Sequence, residues 1–255
     1  MIVPSSNVTM ETEVPELMRR HAGLSRRGTE RDFTFHSSRA VLHNVDTEAL
    51  RAMVGESDRC ARELADARVD VLAYACLIAI MAEGPGAHDA SEAMLAKTVA
   101  ETGYEIPVTS SAGALVRCLQ RLGATRVAVV APYMRPLTRV VCDYLAAYDI
   151  EVVSSISLEV PDNVEVGRLD PSHLLGHARG LDMTGVEAVI LSACVQMPSL
   201  PVLAAAGDEL GLPVLSAATA TAAEILSLLG EEPFVPGAGA ALCGDGVASR
   251  QSPFG

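Results

Sequence analysis

The feature that most constrains the fold is an internal echo: VDVLAYACL at 69–77 returns as VEAVILSACV at 186–195. Two more pairs keep the same order around it, IVPSS at 2–6 with VAPYM at 130–134, and IPVTSSAGALV from Ile106 with LPVLSAATATA from Leu212. Self-similarity of this kind means that one supersecondary plan is laid down twice. Within each copy, short apolar runs alternate with longer stretches of helical spacing, an alternation that forces parallel strands joined by right-handed crossovers. The expectation is therefore an α/β protein of two doubly wound parallel-sheet lobes, related by a pseudo-twofold, with the active site in the cleft between them.

The first copy reads as strands at 2–3, 32–36, 69–74 and 106–108, with helices at about 9–21, 47–67, 90–102 and 111–122. The second reads as strands at 126–131, 151–157, 188–192 and 214–215, with helices at about 137–148, 171–181, 203–210 and 218–229. This gives an N-terminal lobe at 1–110 and a C-terminal lobe at 111–229, the last helix at about 211–229 being able to cross back to the first. The Gly- and Pro-rich stretch at 230–255 has no sustained period and reads as an irregular tail.

A chain of 255 residues, 49% hydrophobic, can bury a sizeable core, and with 4% aromatics and no Trp that core must be built of Ala, Val, Leu and Ile. The formal charge of -13 excludes a phosphate backbone as the natural partner and disfavours an anionic membrane surface. No apolar run approaches the ~20 residues of a membrane span, and MIVPSSN lacks the parts of a signal peptide, so a cytoplasmic protein is expected.

Six cysteines stand at Cys60, Cys76, Cys118, Cys142, Cys194 and Cys243 without any C-x-x-C pair, which points away from disulfide frameworks, redox dithiols and zinc ribbons. Cys60, Cys118 and Cys142 fall on helical stretches and read as packing residues. Cys76 and Cys194 differ, because each follows the same strand of the repeat. In open parallel sheets ligands bind beyond the carboxyl ends of strands, where helix starts offer free amides. Duplication thus sets one thiol against another across a cleft, and the amides favour thiolate below the usual pKa of ~8.5. Around them, Ser5, Ser6 and Asn7 form a polar loop suited to a carboxylate or to capping a helix, Tyr133 occupies the matching loop of the second copy, and Asn163 sits in a turn. His173 and His177 stand four apart without a third ligand, so a solvated helix face is expected rather than a metal site. No phosphate-binding loop is present, and no cofactor is expected.

At these residues the chain resembles the maleate isomerases of the aspartate/glutamate racemase superfamily. The resembling segments are VPSSNVTMETEVP from Val3, YACLIAIM from Tyr74, SSAGAL from Ser110, APYMRPL from Ala131, PDNVEVG from Pro161, SACVQMPSLP from Ser192 and PVLSAATAT from Pro213, covering most of the chain. The resemblance implies a cofactor-free, usually dimeric enzyme in which Cys76 is the nucleophile and Cys194 the proton donor and acceptor. It also implies that Asn7, Tyr133 and Asn163 hold a small dicarboxylate, helped by the amides of Leu77, Ile78, Val195 and Gln196. Racemases of the superfamily carry C-N-T and G-C-T where this chain has ACLIA and SACVQ, and arylmalonate decarboxylases generally keep one active cysteine. Those two activities are the nearest alternatives, with a non-catalytic dicarboxylate-binding module as a distant third.

Isomerising maleate requires a C=C bond to become single before it can turn. The expected route is addition of the Cys76 thiolate to an alkene carbon, charge spreading into the neighbouring carboxylate, rotation, and expulsion of the sulfur. None of the expected substrate-holding residues is an Arg, which leaves neutral donors and helix starts to bind a dianion. The 35–46 region is the candidate lid.

Overall fold

The computed structural model describes residues 1–23, 32–43 and 45–244. Two four-stranded sheets, all parallel, carry the same strand order. In the first, β1 (Ile2–Pro4), β2 (Ser38–Ala40), β3 (Leu72–Tyr74) and β4 (Val108–Ser110) run in the order β2-β1-β3-β4. In the second, β5 (Arg126–Ala131), β6 (Glu151–Ser157), β7 (Ala188–Ser192) and β8 (Val214–Ser216) run in the order β6-β5-β7-β8. The α/β class and the repeated lobes are as the internal echo implies. Helices cover both faces, so a central strand such as AVILS of β7 is buried at every position and reads as an unbroken apolar run.

The helices are α1 (Met10–Ala22), α2 (Thr47–Asp66), α3 (Leu77–Met81), α4 (Ala87–Ala100), α5 (Ser111–Leu122), α6 (Arg135–Ala146), α7 (Asn163–Gly167), α8 (Ser172–Arg179), α9 (Leu203–Leu210) and α10 (Ala217–Leu228). Equivalent helices start in equivalent ways. Ser110 caps α5 by accepting from Gly113 N, and Ser216 caps α10 in a capping box with Thr219. These two helices pack against each other, and α10 also lies on α1 and β4 of the first half. Ser111 and Thr221 share a hydroxyl hydrogen bond of 3.0 Å there, beside ion pairs of Arg117 with Glu92 and Glu224.

Two expectations fail. The second strand lies at Ser38–Ala40, not 32–36, because register with β1 pairs Ile2 with Ser38 and places Ser38 and Ala40 inward. The alternating apolar residues of DFTFH mimic a strand, but 34–36 are exposed and unpaired with the sheet. Part of the 35–46 region, Ser38–Ala40, is therefore sheet rather than loop, and Asn44 within it lies outside the described residues. The short helices α3 and α7 were not expected, since five residues are too few to show a helical period. The tail folds back over β8 and α10, burying Val235, Ala238 and Leu242; 245–255 lie outside the described residues.

Candidate active site

The loop after β1 turns at Asn7, which is fully buried. Its side chain caps α1, Oδ1 accepting from Met10 N at 3.0 Å, while Nδ2 donates to Val195 O of the other half at 3.4 Å. The two readings of this loop, cap and ligand holder, are thus compatible, because an amide NH2 has a second hydrogen to give. Thr9, at the formal cap position, instead sends its hydroxyl to Gln196 O at 2.5 Å. Arg39 of β2 braces the loop from outside by donating to Ser5 O and Asn7 O, each at 2.9 Å, and pairs with Glu11.

Cys76 sits between β3 and α3, and Cys194 just past β7, each 4% exposed. They share one environment. A charge on Cys194 would raise the Cys76 pKa, and Tyr133 in the loop after β5 lies near enough to both sulfurs that they raise its own pKa, beyond the effect of its burial. Leu77 and Ile78 open α3, so their amides have no partner within the helix. On the other side the Gln196 amide reaches Cys194 Sγ at 3.4 Å.

The thiol chemistry departs from expectation in sign. Burial pushes the Cys76 thiol up to about 12, with the Ala79 amide opposing and Cys194 adding to the rise. Cys194 is also raised by burial, but the Tyr133 hydroxyl and the amides of Gln196 and Met197 pull it back. Desolvation outweighs the helix start because α3 is short and the site is sealed from water. Burial thus keeps both thiols in the neutral form at neutral pH.

Asn163 is the first residue of α7, and its Nδ2 donates to Ser6 Oγ at 2.8 Å. Tyr133, Asn163, Leu77, Ile78, Val195 and Gln196 are all buried, as are Asn7 and both cysteines. All nine expected residues belong to the strand-end loops and helix starts of the two sheets. His173 and His177 lie on α8, exposed and half-buried respectively, and among the described residues no three His, Cys, Asp or Glu side chains could share a metal. Arg135, within APYMRPL, points to solvent and faces Glu159.

The family model for arylmalonate decarboxylase matches residues 29–242. A maleate isomerase of Geobacillus stearothermophilus is 55% identical over 244 residues, 96% of each chain. The chain belongs to the maleate isomerase group of this family. A crystal structure of a mutant maleate isomerase Iso from Pseudomonas putida S16 with maleate superposes at TM-score 0.92, with 45% identity over 95% of this chain and 96% of that one. A mutant maleate cis-trans isomerase of Nocardia farcinica with a covalently bound succinylcysteine intermediate superposes at 0.89, with 48% identity over 94% and 96%.

Set in this maleate isomerase frame, several residues escape sequence reading. Glu13 on α1 is buried and accepts from Ser199 N at 2.7 Å and Leu200 N at 2.8 Å, in the loop that follows Cys194. Burial raises its pKa against those amides. Its second oxygen and the Ser199 hydroxyl are buried without a hydrogen-bond partner among the described residues. The only sequence signal was a charged residue on the apolar face of a helix. Arg39 was hidden by the misplaced second strand, and the Gln196 side chain by attention to its backbone.

Proposed function

We propose that this chain converts maleate to fumarate without a cofactor, through a succinyl adduct on Cys76, with Cys194 as the proton donor and acceptor. The observation that carries the reading is the pair of buried thiols at equivalent strand ends of the two sheets, near enough that charge on Cys194 raises the Cys76 pKa, with the Tyr133 hydroxyl favouring the Cys194 thiolate. The cycle starts from the Cys76 thiolate, whose proton has passed to bulk water before maleate is enclosed; its Sγ adds to one alkene carbon and the π pair moves to the other, delocalised into its carboxylate. The Cys194 thiol then protonates that carbon, leaving a C–C single bond free to turn. Return of the proton to Cys194 and departure of the Cys76 thiolate restore the double bond in the trans form.

Asn7 Nδ2, Asn163 Nδ2, the Tyr133 hydroxyl and the amides of Leu77, Ile78, Val195 and Gln196 hold the carboxylates. One preorganised donor of this kind is worth about 3 kcal/mol in the transition state. The working unit is a homodimer in the cytoplasm, for which the family resemblance is the support. Light scattering that reads a monomer would overturn the dimer.

The deciding experiment incubates purified protein with maleate alone, follows fumarate absorbance, and maps quenched enzyme by mass spectrometry. Turnover with a maleate-derived group on the Cys76 peptide is expected, and Cys76→Ala abolishes both. Turnover without any adduct would replace addition by simple proton transfer.

A further inference from the structure

The amide side chain of Gln196 is 1% exposed and spends its whole hydrogen-bonding capacity on chain segments of both halves. Nε2 donates to Ser6 O at 2.9 Å and to Asn163 O at 2.8 Å. Oε1 accepts from Val8 N at 2.9 Å and Thr9 N at 3.4 Å. Thr9 Oγ1 closes the loop on the Gln196 carbonyl. Three segments meet at this one group: the β1–α1 loop that holds Asn7, the start of α7 that holds Asn163, and the loop of Cys194 itself.

We infer that the Gln196 carboxamide is a positioning residue that fixes Asn7, Asn163 and Cys194 at one mutual geometry, a role distinct from that of its backbone amide. Only a carboxamide provides two donors and a double acceptor in this plane. A thioether or aliphatic side chain of the same length would leave two buried carbonyls and two amides facing nothing. Since productive alignment is sensitive to displacements of an ångström, loosening this junction acts on rate more than on affinity.

The fold supplies a second way to disturb the clamp. Gly167 ends α7, and a Cβ there would stand 2.7 Å from Gln196 Nε2 and 3.1 Å from both its Cδ and Val8 Cγ2. A Cβ on Gly176 of α8 would meet nothing within 4 Å. Gly167→Ala therefore pushes the clamp from outside, and Gly176→Ala serves as a helical control of the same chemistry.

The activity readout rests on the function proposed above, so a second readout is independent of it. Wild type, Gln196→Met, Gly167→Ala and Gly176→Ala are compared by kcat and KM on maleate, and by the rate at which iodoacetamide alkylates Cys194 in peptide maps. The clamp predicts kcat lower by about ten- to hundred-fold with KM changed by less than about three-fold in the first two variants. It also predicts several-fold faster alkylation of Cys194 in both, with Gly176→Ala unchanged throughout. Folded Gln196→Met and Gly167→Ala that keep wild-type kcat and Cys194 alkylation, whatever their melting temperatures, overturn the proposal. Should Gln196→Met not fold, Gly167→Ala decides. A wild type that leaves maleate untouched would defeat the function proposed above, and the alkylation rates would then judge the clamp alone.

Discussion

The two thiols show how burial and hydrogen bonding compete at single residues. Cys76 and Cys194 have equivalent backbone positions and equal exposure, yet the Tyr133 hydroxyl draws down the pKa of Cys194 while a charge on Cys194 raises that of Cys76. With its pKa pushed up to about 12, the Cys76 thiol is almost wholly protonated at neutral pH. Its thiolate fraction then grows about ten-fold per pH unit below that value. Alkylation of Cys76 by iodoacetamide should consequently rise without a plateau from pH 7 to pH 9, as read by peptide mass mapping. A plateau near pH 8 would mean that the helix start, not burial, sets this thiol. The sequence correctly singled out both cysteines by their place in the repeat. It misjudged the sign of the shift, because desolvation depends on how completely the loops close, and no local pattern records that.

Among the elements, those with long apolar periods were legible, and of the short ones β1 and β8 were placed while β2, α3 and α7 were not. Strands β5, β6 and β7 and helices α5 and α9 fall where the apolar pattern puts them. The three-residue β2 and the five-residue α3 and α7 are defined by tertiary pairing, which propensity does not see. The candidate ligand residues were legible through the repeat and the family motifs, whereas Glu13, Arg39 and the Gln196 side chain work across the two halves and leave no trace in local spacing. Glu13 offers a test of such a contact. Its folded pKa is raised above the unfolded 4.5, so the stability it contributes is present below that value and lost as pH climbs through the folded pKa. Glu13→Gln should match wild type in thermal melts near pH 4 and exceed it near pH 8. Glu13→Ala should cost about 2–4 kcal/mol by leaving the Ser199 and Leu200 amides unpaired. Equal melting curves for Gln and wild type at both pH values would show that the carboxylate is solvated after all.

At the scale of the whole molecule, the halves are joined at both ends of the cleft, by loops at the site and by α5 against α10 behind it. Because α10 buries most of its surface against elements of the first half, neither sheet keeps a complete core without the other. Calorimetry should record one cooperative unfolding transition, and Glu224→Ala, which strips a partner from Arg117 and Arg121, should lower it by about 1–3 kcal/mol without splitting it. Two resolved transitions would show that the sheets are separate folding units. The matched strand orders also bear on how sulfurs at equivalent places come to differ. Two identical copies of this plan would place both thiols in the same surroundings. The break lies where Ser5 and Tyr133 stand at corresponding places: Ser5 bonds its hydroxyl to the Leu42 backbone, whereas the Tyr133 hydroxyl favours the Cys194 thiolate. A single side chain per copy is enough to make a symmetric frame chemically handed.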